Sequence, residues 1–345
     1  MELINDTAMQ AGYTVGLSPD GRELLVAVVK GTFAIPNSNE EWAKLATDQI
    51  GLVETDVFTG EPGFSAPLYE IDFAPRKPRC DIVLNGTAFA PGGKPAQRVR
   101  VSLQVGSLVK SFDVVGNRVW MAGSVYRAPT PPEPFTSMPI SYNNAFGGVD
   151  KPDENPATHR WYLENHVGVG YHETVSAKNL DGKPLPNTEE TRNGIRDPRG
   201  NYRPMAFGPI GRAWQPRVKY AGTYDNEWID NVMPFLPADF DERYYQVAPP
   251  DQQLAYLKGG ENVELINLMA KGHARFRLPR VGLALLFHSR EGGVRETVPV
   301  IDTAIFEPDQ RRVMLLWRST HILRKNIFEI RRIAVERREI PIVSF

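Results

Sequence analysis

Between Ala128 and roughly Pro250 the chain loses all regular apolar spacing yet keeps the rings that a packed interior needs. Its heart, Ser141 to Tyr171, reads SYNNAFGGVDKPDENPATHRWYLENHVGVGY, and two further irregular aromatic stretches follow, Phe207 to Trp214 and Thr223 to Trp228. Disordered linkers are poor in aromatic residues, whereas this stretch holds Trp161, Trp214, Trp228 and many Tyr and Phe. The reading is therefore a long ordered excursion packed on neighbouring strands. Ordered long loops in globular chains are commonly where binding happens.

The flanks read as strands. Gly and Pro, 29 of each, are spread over the whole length, and apolar runs at helical spacing are scarce. Glu23 to Phe33 is β-branched and follows an Asp20-Gly21 turn. Cys80 to Phe89 alternates, and Arg98 to Val105 alternates cleanly with period two. Lys110 to Val115 and Asn117 to Val119 follow, with Gly116-Asn117 expected as the hairpin turn between them. Later strands are expected at Val263 to Leu268, Ala274 to Leu278, Gly282 to Phe287, Thr297 to Asp302, Arg312 to Thr320 and Ile327 to Ile333. Turns at Gly292-Gly293 and Pro308-Asp309 separate them. Two short helices are expected: Pro250 to Leu257, capped by Asp251 and stopped by Gly259, and Glu40 to Ala46.

The expected fold is all-β, mainly an antiparallel sandwich or compound sheet, with a long ordered irregular central segment and one or two short helices. Residues 1–345 are taken as one domain: strand-rich 1–128, loop-rich 129–260 and strand-rich 261–345. Two subdomains stay open as an alternative.

Charge and cysteine usage narrow the function. Lys and Arg total 40 against 41 Asp and Glu, so no net field draws the chain to nucleic acid or an anionic membrane. Cys80 is the only cysteine, which excludes an intramolecular disulfide and a cysteine-built zinc site. The first residues show neither basic nor apolar signal regions, and apolar runs such as Val281 to Phe287 are too short to span a membrane. The expected compartment is the cytoplasm.

Candidate chemistry is thin. His159, His166 and His172 cluster, but not at the helical spacing that places two imidazoles on one face, and chance accounts for such a cluster more readily than a metal does. No G-x-S-x-G elbow and no phosphate loop is present. Cys80, within a strand, reads as a small apolar core residue. Asp225, Glu227, Asp230, Asp239 and Asp241 give an acidic loop that any solvated surface supplies. The arginines from Arg311 to Arg338, interleaved with Trp317 and Phe328, read first as a solvated sheet face, then as a basic patch for an acidic protein partner, and last as a nucleic-acid groove.

Several segments, taken in order, resemble one bacterial family. Tyr142 with Asn143 to Gly148 resembles its Y-x-x-A-F-G-G signature, and Val167 to Tyr171 its N-P-V-G-x-G-[FY] element, with Asn165-His166 in place of Asn-Pro. Leu185 to Glu189, Phe207 to Ile210, Trp214 to Arg217, Ala221 to Asp225, Trp228, Pro234 to Phe240, Ala248 to Gln253 and Gly259 to Glu261 follow in sequence. Lys30 to Phe33, Asp81 to Ala90 and Gly116 to Trp120 fit its strand-rich opening. The family resembled is that of type VI secretion adaptors or chaperones, formerly a domain of unknown function, encoded beside spike components.

The resemblance implies a non-enzymatic protein that binds a type VI effector, often one with a PAAR-type tip domain, and helps load it onto the VgrG spike. It implies no cofactor and no metal. The residues it points to for partner binding are Tyr142, Asn144, Phe146, Gly147, Gly148, Gly168, Gly170, Tyr171, Trp214, Arg217, Tyr224, Trp228, Asp239 and Phe240. For each, a structural role is the competing reading: positive φ for the glycines, core filling for the rings. Two other functions stay open: a hydrolase or toxin built on the central His, Asp and Glu loops, and a structural component of the exported spike tip.

Overall fold

A computed structural model describes residues 1–18, 20–37, 41–122, 127–174 and 177–339. In chain order the principal strands are β1 (Glu2–Asn5), β2 (Gln10–Leu17), β3 (Glu23–Ala34), β4 (Cys80–Leu84), β5 (Gly86–Phe89), β6 (Arg98–Val105) and β7 (Leu108–Val115). After the central excursion come β8 (Asn262–Ile266), β9 (His273–Arg277), β10 (Gly282–Ser289), β11 (Val294–Thr297), β12 (Val300–Glu307), β13 (Arg312–Ile322) and β14 (Ile330–Arg338).

Three sheets carry the fold. A seven-stranded sheet runs β2-β3-β13-β12-β4 and ends on the short strand Gln253–Leu254, with Lys44–Leu45 pairing the end of β3. A six-stranded sheet places β7-β6-β8-β9 between the short strands Thr188–Glu189 and Glu41–Trp42. A four-stranded sheet has the order β1-β14-β10-β11. Pairing is mostly antiparallel, as expected; β4 against β12, β1 against β14 and β9 against Glu41–Trp42 are parallel. Both strand-rich parts of the chain enter every one of these sheets, so they share one sheet system.

β3 shows how sequence sets this architecture. Its run ELLVAVVKGTF is apolar on both faces, and a strand so composed belongs in the middle of a covered sheet. It pairs β2 on one side and β13 on the other, from Ala34 against Arg312 to Leu24 against Ile322. Leu25, Ala27, Val29 and Phe33 enter the main core with Leu103, Phe112, Phe276, Phe306 and Trp317. Leu24, Val26 and Val28 turn the other way, into a smaller core. That second core is covered by a strap carrying Ile50, Leu52, Tyr69 and Phe73.

Lys30 lies on the strap side of β3 and is fully buried. Its Nζ donates to Asp72 Oδ2 at 2.9 Å and to the Gly51 carbonyl at 3.1 Å, and Asp72 Oδ2 also accepts from the Val53 amide at 2.8 Å. One buried ion pair therefore fastens the strap to the sheet at two points.

Several local expectations change. The segment 41–46 holds two short strands, Glu41–Trp42 and Lys44–Leu45, in place of a helix; Glu40 lies outside the described residues. Pro250 to Leu257 is a 3-10 turn, Pro250–Gln252, followed by the strand Gln253–Leu254. Helix formation there loses to tertiary hydrogen bonding. Gln252 Nε2 donates to the Ile82 and Phe207 carbonyls, and Tyr256 Oη donates to the Lys77 carbonyl. Asp251 is no cap; it pairs with Lys110 and Arg203. Gly259 ends no helix, and its φ of 82° lets the chain pass the Pro279 carbonyl.

The β6–β7 hairpin turns at Gly106, φ 56°, and Asn117–Val119 is not a strand. Gly116 serves close approach: an added Cβ would meet the Glu133 carbonyl oxygen at 1.8 Å. The expected strand Thr297 to Asp302 divides into the end of β11 and the start of β12, and Ile327–Glu329 is a 3-10 turn that precedes β14. The turns at Gly292 and Pro308 stand where expected.

Candidate functional site

The central excursion is anchored by buried polar side chains. Asp81 on β4, with no exposure, accepts from Gln246 Nε2 at 2.6 Å and from the Val247 and Ala248 amides at 2.9 and 3.1 Å, and it pairs with Lys77 at 2.8 Å. Gln252 accepts from Lys110 Nζ at 2.7 Å. Burial pushes the Lys110 ammonium down to about 8, against the raising influence of Asp251. The returning limb of the excursion is thus pinned to the sheet. The sequence reading missed both Asp81 and Gln252; a carboxylate at an inward strand position was the available signal.

The Ser141–Tyr171 segment closes on itself. Tyr142–Asn144 forms a 3-10 turn capped by Ser141, and Phe146–Gly147 pairs in parallel with Val169–Gly170. Asn165, fully buried, donates from Nδ2 to the Tyr142 and Phe146 carbonyls at 2.8 and 3.1 Å. The glycines lie where chain crosses chain. A Cβ on Gly147 would meet the Asn165 carbonyl oxygen at 2.3 Å, on Gly148 that of Gly168 at 2.3 Å, and on Gly168 that of Ala145 at 2.4 Å. Gly170, φ 94°, lies against Pro186.

Apart from Trp161, which is exposed, the rings of this segment face inward. Phe146 is fully buried, with Tyr162, Tyr202 and Tyr171 edge-on at 4.9, 5.0 and 6.4 Å. Tyr142 is buried against Trp214 at 5.3 Å. Asn144 is half-buried and accepts from the Asn187 amide through its carbonyl. Tyr171 is half-buried too, donating from Oη to Glu173 at 2.7 Å.

Arg217 is interior as well. It forms an ion pair with Glu70, donates to the Ile210 carbonyl at 2.9 Å and to the Tyr244 carbonyl at 2.8 and 3.1 Å, and stacks over the Tyr244 ring at 5.5 Å. This guanidinium ties the strap, through Glu70, to the excursion.

Beyond Arg217 the character changes. Val218, Tyr224, Ile229, Met233 and Phe235 are 41% to 58% exposed, all within a short stretch of chain. The stretch is built, not loose. Asp225 caps the helix Asn226–Asn231 by accepting from the Trp228 amide, and Trp228 Nε1 donates to the Phe235 carbonyl at 2.9 Å. Tyr224 meets Trp228 edge-on at 4.7 Å, and Asp239 accepts from the Thr223 amide and hydroxyl at 2.9 and 2.8 Å. Phe240, half-buried, contacts Tyr244 and Tyr245. A rigid small module thus presents apolar side chains to solvent.

The module sits on the β2–β3 turn, where an added Cβ at Gly21 would come within 3.0 Å of the Phe235 ring. Beside it opens a cleft of about 650 Å³ with an apolar wall of Leu24, Tyr256, Val300 and Ile322. The charged groups around it are already paired: Arg22 with Asp20 at 2.6 Å, Arg76 with Glu242 at 3.4 Å, and buried Arg318 with Asp302. Such a cleft suits an apolar group better than a charged one.

Of the sequence candidates, the structure brings Tyr224, Trp228, Asp239 and Phe240 together in this module and keeps Tyr142, Phe146, Gly147, Gly148, Gly170, Trp214 and Arg217 inside. The exposed Ile229, Met233 and Phe235 were not singled out from the sequence. Apolar residues in a patternless stretch carry no mark of which way they face.

The histidines stay apart from any cluster of metal-binding residues: among the described residues no group of three or more His, Cys, Asp or Glu is placed to hold an ion. His159 bonds the Asp153 carbonyl, and His166 lies between Trp161 and Trp214. Burial holds the His166 and His172 imidazoles below their ordinary pKa. The Cys80 thiol is fully buried and pushed well above the ordinary range by desolvation, with Asp302 and Asp81 adding to it. Four of the late arginines are ion-paired, and Arg318 is buried instead of lying on a solvated face. Arg312 pairs with Glu307, Arg318 with Asp302, Arg332 with Glu2, and Arg338 with Glu296 and Glu336.

Fold and site together define a β-rich, multi-sheet protein with an ordered, internally pinned excursion that ends in an exposed apolar module. The chain belongs to the bacterial family described as "Uncharacterized protein conserved in bacteria (DUF2169)", whose profile matches residues 20–318. No curated protein and no solved structure matches it. No helix among the described residues is long and apolar enough to cross a membrane.

Proposed function

We propose that this protein is a non-enzymatic adaptor: it binds a type VI secretion effector, often of the PAAR-type class, in the cytoplasm and helps load it onto the VgrG spike. The observation that carries this reading is the exposed set Tyr224, Ile229, Met233 and Phe235, held on a helix-and-loop module fixed by the Asp225 cap and the Trp228–Phe235 hydrogen bond. Preorganised apolar and aromatic side chains beside an apolar cleft are what protein recognition uses as anchors. The ordered series of motifs from Tyr142 to Glu261 supports the same reading.

The motif glycines and rings then act indirectly, by fixing the platform from which the module projects. Replacing Ile229 and Met233 together by Asp is expected to weaken capture of a co-expressed effector at least about tenfold, the scale of losing one hot-spot residue. Their exposure predicts an unchanged unfolding midpoint. Equal capture by parent and double variant overturns the assignment of the module. A pull-down from native lysate that recovers no spike, tip or effector component overturns the function.

A further inference from the structure

Among the described residues β2 is a free edge of the seven-stranded sheet, and it carries none of the features that keep sheet edges apart. Its eight residues, QAGYTVGL, contain no charge and no proline. Exposed edges ordinarily carry Lys, Pro, bulges or short length. The other open edge strands here follow that rule: β1 carries Glu2 and is short, and β11 carries Arg295 and Glu296.

The phase of the β2–β3 hairpin decides which groups face outward. The Ser18 amide donates to the Arg22 carbonyl at 2.8 Å, and pairing continues Gly16 with Leu24, Thr14 with Val26, Gly12 with Val28. By the alternation of antiparallel ladders, Ala11, Tyr13, Val15 and Leu17 then turn both N–H and C=O away from β3. Among the described residues no hydrogen bond reaches these groups. An unpaired ladder of this kind recognises extended backbone.

We propose that β2 pairs with β2 of a second copy of this chain, antiparallel across a twofold axis through Thr14. That register sets Tyr13 opposite Val15 and Ala11 opposite Leu17 of the other copy, and it pairs every outward N–H and C=O of both copies. An aromatic residue against a β-branched one is a favourable cross-strand pair, and it occurs twice. Gly12 falls opposite Gly16 on the strap side, where Leu52, Phe73 and Pro75 already fill the space above both glycines. The strand carries no charge, so self-pairing opposes no like charges. The edge thus fits itself, and the two seven-stranded sheets become one. This pairing requires no client.

The axis gives a register-specific test. Thr14 would face its own symmetry mate in a non-hydrogen-bonded pair, about 4.5 Å apart at Cα, within disulfide reach. Leu17 would lie roughly 20 Å from its mate. The only native cysteine, Cys80, is buried and does not compete. The purified chain at tens of micromolar is expected to sediment at twice its mass of 38.7 kDa. Under mild oxidation Thr14→Cys is expected to form a covalent dimer and Leu17→Cys is not. Thr14→Lys, which opposes two ammonium groups at the axis, is expected to give a monomer whose unfolding midpoint matches that of the parent diluted until it too is monomeric. A parent chain that is monomeric at about 100 µM overturns the proposal, including the case in which the edge serves a strand from another protein. So does Leu17→Cys crosslinking as readily as Thr14→Cys.

Discussion

At the scale of single residues, the most constrained positions are those where one chain segment passes another without room for a side chain. Gly148 combines φ 101° with a Cβ position 2.3 Å from the Gly168 carbonyl oxygen, and neither backbone can give way alone. Gly148→Ala is expected to destabilise the protein by at least about 1–3 kcal/mol, the cost of a held left-handed conformation before the clash is added. Gly51→Ala, at ordinary φ with nothing within 4 Å, is expected to stay within about 0.5 kcal/mol. Urea unfolding of the two variants checks both; equal midpoints would mean the crossing relaxes. The sequence exposed the Gly-Gly and Gly-x-Gly pairs but not their purpose, because a glycine needed for φ and one needed for clearance look the same. Gly116 shows the reverse error: read as a turn, it is a point of contact with Glu133. The cores of β3 and β6 were readable since alternation or a continuous apolar run survives in one dimension. Asp81, Gln252 and Asn165 were not, since each serves partners brought near only by the fold.

At the scale of elements, the strap over the second core depends on one ion pair more than on its own periodicity. Residues 50–73 include few paired strands, yet Ile50, Leu52, Tyr69 and Phe73 must stay on the sheet. Asp72 meets Lys30 and the Val53 amide from one carboxylate oxygen. Asp72→Ala strands a buried ammonium and frees the strap, and is expected to cost about 3–5 kcal/mol. Pairing it with Lys30→Met, which removes the orphaned charge, is expected to recover part of that loss. A double-mutant cycle in urea measures this; a double variant no more stable than Asp72→Ala would show that the strap, not the charge, sets the cost. The misread helix at residues 250–257 belongs to this scale. Proline followed by Asp is a sound local start signal, but Gln252 and Tyr256 gain more by reaching across to β4 and Lys77.

For the whole molecule, acid stability follows from imidazoles kept neutral inside the fold. His166, His172 and His321 all have pKa values lowered from 6.5, in each case first by desolvation. His321 stacks on Phe287 at 5.2 Å, with Arg295 and Arg324 lowering it further and Glu329 opposing. The unfolded chain therefore takes up these protons at a higher pH than the native one. Stability from this source is complete above about pH 6.5 and is lost as pH falls toward the native values. The urea midpoint is expected to fall between pH 7.5 and about pH 5, and His321→Leu is expected to flatten that slope. An unchanged slope in His321→Leu would assign the acid sensitivity elsewhere.

The interleaving of the sheets sets a timetable for synthesis. β3 ends at Ala34, but β13, its long neighbour, is not complete until Ile322. At ordinary elongation rates the wait is roughly fifteen seconds to a minute. Throughout it, an apolar ribbon has only the β2 half of its final company, so a nascent chain of this design must be sheltered or produced sparingly to arrive intact.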